Sequence, residues 1–210
     1  CATLENGDVL RGEVTVRGLD KPPIKKAFLE PRDPEVLDEA VREIQAADLV
    51  VIGPGSLYTS VIANVLVPGI RDAIERSSAQ TVYVSNIVTQ PGQTDGYCAS
   101  DHVRAVTEHM GEDLLDWVLL NSTRPEEEIM ERYRKDGAEL IEADDGLDEL
   151  DVRVKTADLL EDIETPRVLW EKQDLLRHHP NKLGDALCQI VAESASGRRA
   201  REGQSAATSV

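Results

Sequence analysis

Two kinds of hydrophobic pattern alternate along this chain. Short apolar runs rich in β-branched residues, such as residues 48–52 and 81–87, have the composition of strands in a parallel sheet. Before and after them, residues 34–47 and 103–110 place apolar side chains three and four positions apart, as on one face of a helix. This alternation predicts βαβ units with right-handed crossovers, and therefore an α/β fold.

The first thirty residues follow a different pattern. Residues 2–16 predict two short strands joined at Asn6-Gly7, a dipeptide suited to a tight turn, with Val9, Val14 and Val16 alternating along the second strand. A third strand is predicted at residues 24–29. We therefore expect a small N-terminal β-hairpin beside a Rossmann-like, mostly parallel sheet with helices on both of its faces.

Capping residues, proline and glycine mark the ends of the helices. Asp33 and Pro34 predict the start of the first long helix, and Pro68-Gly69 predicts a break within residues 56–77. The run at 48–52 is expected to be a central strand, covered on both faces. The remaining predicted elements are strands at 117–120 and 138–141, a candidate extension of the sheet at 152–160, a helix from Pro125 to Gly137, and a last amphipathic helix through Leu183, Leu187 and Ile190.

The end of the chain has a different composition from the rest. After Ser194 the residues are small and polar, which predicts disorder at 194–210. Residues 1–193 are then expected to form one α/β domain. The chain begins at Cys1 without a methionine and enters strand-like sequence at once, so we expect it to be a fragment.

The charge of the chain excludes one class of partner. Its 210 residues include 23 Lys and Arg against 40 Asp and Glu, a formal net charge of −17. A polyanion would be repelled, so no nucleic-acid role is expected. A nucleotide is still allowed, because main-chain N–H groups and helix N termini hold phosphate without a basic surface.

The cysteines and the hydropathy pattern narrow the class further. Cys1, Cys98 and Cys188 form no metal-binding pair and are odd in number, so neither a metal site nor a disulfide framework is expected. No apolar run reaches the length of a bilayer span. We therefore expect a cytoplasmic protein with no membrane span.

A first candidate binding loop follows the strand at 48–52. Gly53, Pro54 and Gly55 let the main chain approach a ligand, and Ser56 and Thr59 place hydroxyl groups beside a helix N terminus. This arrangement suits a diphosphate. The alternative is an ordinary strand-to-helix turn with serine or threonine as its N-cap, because the motif matches neither the P-loop nor the G-x-G-x-x-G pattern.

A second candidate loop follows the next strand and concentrates polar side chains at residues 86–97. Asn86, Thr89, Thr94 and Asp95 could contact the hydroxyl, amide or base groups of a ligand, and the alternative is an ordinary Asx-type turn. Ligands of such sheets gather at the carboxyl ends of strands, near a point where the strand order reverses. The two loops are therefore expected to converge over a pyrophosphate.

The two loops together carry a resemblance to a known family. The segments GPGSLYTS, VPGI, TQPGQTDGY and SDHV, in this order, resemble the signature of the YvcK branch of the CofD-like family, and the similarity extends from the opening hairpin to about residue 193. The resemblance implies a protein that binds UDP-N-acetylglucosamine and influences carbon metabolism and cell shape. CofD itself is a transferase that joins a lactyl phosphate unit to a deazaflavin cofactor precursor.

The resemblance also implies two further contacts and two departures. Tyr133 would stack on a uracil ring and Arg177 would bind a phosphate; the alternatives are an aromatic residue at the edge of the core and a solvated cation. Gln93 stands where the family usually has glutamate. The glycine-rich G-G-G-T-G-type loop that the family carries ahead of this region is missing from the chain.

Three functional hypotheses remain open from the sequence. The first is a binding regulator rather than an enzyme, since neither Ser56 nor His102 has convincing catalytic partners in the sequence. The second is a CofD-type transferase, in which Asp95 would help to hold a Mg²⁺ ion on a nucleotide diphosphate. The third is a scaffold whose glycine loops are architectural. A homodimer is left open.

Overall fold

The computed structural model describes residues 1–161 and 176–207, with side chains described through Ser194 apart from Glu112. Seven strands in these residues form two sheets. The antiparallel sheet has the order β2-β1-β3 and the parallel sheet has the order β4-β5-β6-β7. The strands are β1 (Ala2–Leu4), β2 (Val9–Leu10), β3 (Ile24–Ala27), β4 (Leu49–Ile52), β5 (Gln80–Val84), β6 (Trp117–Asn121) and β7 (Arg153–Ala157).

The helices alternate with these strands, which confirms the predicted α/β, Rossmann-like class. They are α1 (Glu13–Val16), α2 (Asp38–Ala46), a π-helical turn (Leu57–Ile62) that continues into α3 (Ala63–Val65), α4 (Pro68–Glu75), α5 (Ala99–Met110), α6 (Glu127–Lys135) and α7 (Pro180–Ala207). The expected break at Pro68-Gly69 is present, because α4 begins at Pro68.

The N-terminal hairpin is confirmed around Asn6-Gly7, where the Gly7 amide donates to the Leu4 carbonyl at 2.9 Å. Its second strand is shorter than predicted. Residues Glu13–Val16 form the helical turn α1, so Val14 and Val16 are not strand residues. Gly12, with φ of 87°, turns the chain out of the strand.

The order of the parallel sheet explains how its two faces are covered. Strands that follow one another in chain order through right-handed crossovers carry their connecting helices on one face. Tyr83, Val118 and Leu120 accordingly pack with Val103 and Val106 of α5. On the opposite face, α7 covers the strands, and the buried residues there are Val82, Val84, Trp117, Leu119, Ala186 and Ile190.

The strand at 48–52 was expected to be central, and this prediction is wrong for the described sheet. β4 pairs with β5 and lies at an edge, and Val51 is 41% exposed. An apolar, β-branched run is compatible with an edge strand as well as with a central strand, because strand propensity depends on the packing of the faces and does not fix the position in the sheet. The predicted reversal of strand order also does not occur among the described strands.

Two further elements differ from the sequence predictions. The first long helix begins at Asp38 after an extended Leu37, rather than at Asp33, because Val36 packs against Gly69, where there is no room for a side chain. The predicted strand at 138–141 does not join the parallel sheet. It makes only an antiparallel bridge, Val88 to Leu140, and β7 takes the fourth position instead.

The C-terminal helix continues further than the composition suggested. The backbone of α7 is helical through Ala207, and disorder at 194–210 stays a prediction. Extending an existing helix costs much less than nucleating one, so small polar residues can follow a packed first half. The domain boundary at residue 193 stays a prediction. Among the described helices, none is long and apolar enough to cross a bilayer.

Candidate functional site

The carboxyl ends of β4 and β5 lie side by side, and a loop follows each. We call residues 53–56 the first loop and residues 86–97 the second loop. β4 and β5 pair in parallel, with Ile52 opposite Tyr83. Parallel pairing brings both loops to the same edge of the sheet. The two candidate loops therefore lie side by side, as the sequence predicted.

Gly53 fixes the start of the first loop against the neighbouring strand. Its φ is 86°, and a Cβ atom at this position would lie 3.0 Å from the Val84 carbonyl oxygen. A side chain would be strained by the backbone conformation and would also be crowded by the main chain of β5. The glycine thus allows the first loop to approach the end of β5, and Pro54 follows it in an exposed position.

The first loop leads into a π-helical turn and not into a capped α-helix. The Ser56 carbonyl accepts hydrogen bonds from both Ser60 and Val61 amides, each at 2.9 Å. Ser56 occupies the N-cap position but makes no side-chain cap. The ordinary N-cap interpretation of this serine is therefore wrong. Single π-helical turns occur often at functional sites.

Side-chain hydrogen bonds join the two loops directly. Asn86 Nδ2 donates to the Gly55 carbonyl at 3.0 Å, and Gln90 Nε2 donates to Ser56 Oγ at 3.0 Å. The hydroxyls of Tyr58 and Tyr97 lie 2.8 Å apart. These hydrogen bonds hold the two loops against each other. The Ser56 hydroxyl accepts the bond from Gln90 and does not cap its own helix.

Hydrogen bonds within the second loop fix its shape. Thr94 is fully buried and its Oγ1 accepts from the Gln90 amide at 2.8 Å, while Asp95 Oδ2 accepts from the Gly92 amide at 2.8 Å. Thr89 Oγ1 accepts from the Glu139 amide at 2.9 Å. The Thr89 and Thr94 hydroxyls therefore hold the loop in place. Asp95 is exposed and presents a carboxylate at the rim.

A third segment lies near the same edge of the sheet, and we call residues 176–179 the C-terminal segment. Tyr133 Oη accepts a hydrogen bond from the Leu176 amide at 3.1 Å, and the Arg177 carbonyl accepts from the Glu161 amide at 2.9 Å. His178 forms an antiparallel bridge with Leu160. The structure thus brings Tyr133 close to the segment that carries Arg177, two positions that are 44 residues apart in the chain.

Three buried side-chain atoms have no hydrogen-bond partner in the part of the chain that the structure describes. They are Thr59 Oγ1, Gln93 Oε1 and His178 Nε2. Leaving a buried polar atom unpaired is costly, so such atoms are available to form hydrogen bonds with water or a ligand. Two belong to the candidate loops and their helix. Nothing in the sequence around the adjacent His178 and His179 indicated a buried ring nitrogen without a partner.

Burial and charge set the electrostatics around the loops. Burial lowers the pKa of Lys21, and the negative charge of Asp95 opposes this shift. The Lys21 ammonium donates a hydrogen bond to the Gly92 carbonyl. Burial also raises the pKa of Tyr58, so its hydroxyl stays protonated. Within the described residues, no group of three or more His, Cys, Asp and Glu side chains is placed to hold a metal ion. The loops therefore offer neutral hydrogen-bonding groups, the Asp95 carboxylate at the rim and the nearby Lys21 ammonium.

Comparison with known proteins gives the fold and the family. Residues 1–160 match the family model described as 2-phospho-L-lactate transferase CofD. A gluconeogenesis factor of Halalkalibacterium halodurans is 38% identical over 186 residues, and one of Bacillus subtilis is 36% identical over 192 residues. These alignments cover 89% and 91% of this chain and 55% and 58% of the relatives.

A solved structure agrees with the sequence comparisons. The crystal structure of a UPF0052 family protein from Bacillus halodurans superposes with a TM-score of 0.80 at 38% identity, covering 89% of this chain and 57% of that one. The chain thus spans little more than half the length of the relatives that it matches. With a family model matched along residues 1–160 and relatives of the same fold, the chain belongs to the CofD family and resembles its gluconeogenesis-factor members.

Proposed function

We propose that this chain forms the nucleotide-sugar-binding part of a regulator of central carbon metabolism and cell-envelope growth, with UDP-N-acetylglucosamine as its ligand. The observation that carries the proposal is the junction of the two loops at Asn86 and Gly55, beside the buried and unpaired Thr59 Oγ1. The gluconeogenesis-factor names of the relatives support the regulatory role.

The diphosphate is assigned to the first loop and the turn that follows it. The π-helical turn begins without a side-chain cap, which leaves main-chain amides for phosphate oxygens, and Thr59 adds a hydroxyl donor. The formal charge of −17 does not oppose this assignment, because the contacts are made by local dipoles within a few ångströms. Pro54 and Gly55 would shape the approach of the main chain.

The uridine is assigned to the other side of the site. Tyr133 presents a partly exposed ring whose hydroxyl is already anchored by the Leu176 amide, so the ring is held in one orientation for stacking on uracil. Arg177 would bind a phosphate oxygen from the C-terminal segment. Asn86, Thr89, Thr94 and Asp95 would form the wall between these two ends.

Calorimetry on the full-length protein tests the proposal. We expect UDP-N-acetylglucosamine to bind and GDP-mannose to bind much more weakly. Absence of heat at about 1 mM UDP-N-acetylglucosamine, where a ligand of useful affinity is detected, would contradict it. The transferase alternative is tested with a nucleoside diphosphate carrying a lactyl group, a deazaflavin acceptor and Mg²⁺. Formation of the coupled product would show that the protein is a transferase and would contradict the proposal of a regulator without catalytic activity.

The variant Thr59→Val tests the assignment of the diphosphate, because it removes the unpaired hydroxyl while keeping the branched shape. We expect ligand affinity to fall by about tenfold to a hundredfold, the usual loss for a hydrogen bond to a charged group. Thr107→Val is the matched control, since Thr107 Oγ1 donates only to carbonyls within α5. Equal affinities for the two variants would remove Thr59 from the site.

A further inference from the structure

His178 is a half-buried residue whose imidazole the fold engages through the main chain of Ser85. Its Nε2 atom is buried without a partner among the described residues, whereas the adjacent His179 accepts from the Asn181 amide at 3.2 Å through Nδ1. His179 thus caps the start of α7. The main-chain bridge of His178 to Leu160 fixes the position of the residue but leaves Nε2 unused.

The location of His178 links it to the two loops. The ring forms a hydrogen bond with the main chain of Ser85. Ser85 directly follows β5, between Val84, whose carbonyl limits the space at Gly53, and Asn86, which donates to the Gly55 carbonyl. The imidazole therefore reaches the carboxyl edge of the sheet at the strand from which the second loop departs.

The surroundings of His178 favour a neutral ring. Burial lowers its pKa, the Ser85 main chain opposes this shift, and no charged neighbour among the described residues is a cause of it. The charged and titratable groups on the elements around it are Arg177 and His179 on its own segment, and Tyr133, Asp158, Glu161 and Lys182 on the segments that flank it. Asp158 and Lys182 are occupied with each other at 2.8 Å.

We infer that His178 is a specificity-determining residue of this site, whose Nε2 atom forms a hydrogen bond with an uncharged polar group of the nucleotide sugar, either a hydroxyl or an amide. The inference rests on the proposed function and deepens it. A phosphate partner is disfavoured, because an anion would favour the protonated imidazole that burial disfavours. The sugar and the uridine both offer suitable groups, and the experiment separates them.

Calorimetry on the full-length protein with UDP-N-acetylglucosamine and with UDP tests the inference. We expect His178→Ala to weaken UDP-N-acetylglucosamine binding about fivefold to tenfold, and His178→Gln, whose amide reaches the Nε2 position, to stay within about twofold of the wild type. A loss for the sugar nucleotide alone places His178 at the sugar, and an equal loss for UDP places it at the uridine.

A pH series supplies a readout that a structural role would not move. Between about pH 8 and about pH 5 the wild type should lose affinity as the imidazole becomes protonated, and His178→Gln should lose less. Stronger binding on acidification would overturn the inference, since it would identify a phosphate partner. Thermal melting checks that the variants fold.

The outcomes separate the inference from the function on which it rests. Binding by the wild type with unchanged affinity in His178→Ala overturns the role of His178 alone. No binding of UDP-N-acetylglucosamine by the wild type overturns both.

Discussion

The side-chain amide of Asn86 donates a hydrogen bond to the main-chain carbonyl of Gly55 over 3.0 Å, and thereby joins the loops that follow two neighbouring parallel strands. The two residues are 31 positions apart in the chain. Because the bond uses a side chain on one loop and the main chain of the other, its formation depends on the second loop carrying an amide at this position. The wall of the proposed site is built around this contact.

Replacing Asn86 with alanine should therefore loosen the first loop. We expect Asn86→Ala to weaken UDP-N-acetylglucosamine binding about fivefold, corresponding to about 1 kcal/mol for one hydrogen bond, as measured by calorimetry. Asn64→Ala is the control, because Asn64 Nδ2 donates at 2.7 Å to the Ser60 carbonyl within the same helical stretch and does not connect the loops. Similar affinity losses in both variants would show that the contact between the loops has no special role.

The close approach of Gly53 to β5 should make this position intolerant of any side chain. Gly53→Ala combines a positive φ of 86° with a Cβ atom 3.0 Å from the Val84 carbonyl. We expect the free energy of unfolding in urea to fall by roughly 2–4 kcal/mol, the range for strained and overpacked positions.

Gly7→Ala separates the two causes of that loss. Gly7 has a similar φ of 90°, but a Cβ atom there would have no neighbour within 4 Å. The loss at Gly7 should be about 1 kcal/mol, which is the cost of the left-handed conformation alone. If both variants lose the same stability, crowding at β5 is not the reason for the glycine.

The contact between Tyr58 and Tyr97 should contribute to stability as a pair. Each single change to phenylalanine leaves a partly buried hydroxyl without its partner 2.8 Å away, so we expect each to cost about 1–2 kcal/mol. The double variant Tyr58→Phe/Tyr97→Phe should cost less than the sum of the single changes. A double-mutant cycle from urea unfolding measures this coupling, and additive losses would contradict a direct bond.

His109 should make stability sensitive to acid. Its Nε2 accepts from the Ala27 amide at 3.0 Å, and burial, as the main cause, lowers its pKa from the ordinary value of 6.5. Protonation of Nε2 would destroy this acceptor. Because the unfolded chain binds the proton more readily, the contribution of His109 is complete above pH 6.5 and is lost as the pH falls from there to the lowered pKa of the folded state.

Melting temperatures measured through this range check the prediction. His102 and His178 also have lowered pKa values from burial, so the wild type should show a combined loss of stability on acidification. His109→Gln keeps a carbonyl acceptor for the Ala27 amide and cannot be protonated, and should lose less stability over the same range. An identical slope for this variant and the wild type would assign the acid sensitivity to other groups.

Much of the fold followed from local patterns. The Asn6-Gly7 turn, the strands at β5 and β6 and the break at Pro68 depend on residues close together in the chain, and the structure has them where they were predicted. The two glycine-containing loops also followed from their positions after apolar runs. Parallel pairing of β4 with β5 then brings these loops together without any further signal.

Other features depended on contacts that the local sequence does not contain. The segment at 138–141 reads as a strand, but it bridges to Val88 while β7 occupies the fourth position of the sheet. Helix α2 begins at Asp38 and not at the predicted Asp33, because Val36, just before it, packs against Gly69. In each case a distant partner decided between two conformations that the local residues allow.

The sequence by itself determined the alternation of strands and helices, the class of fold and the two loops that carry the family motifs, because periodicity, capping and glycine act over a few residues. Only the tertiary structure decided that β4 lies at an edge, that Ser56 binds Gln90 instead of capping its own helix, and that His178 meets the end of β5. Burial and the pairing of polar atoms depend on residues far apart in the chain, and they exist only once the chain has packed.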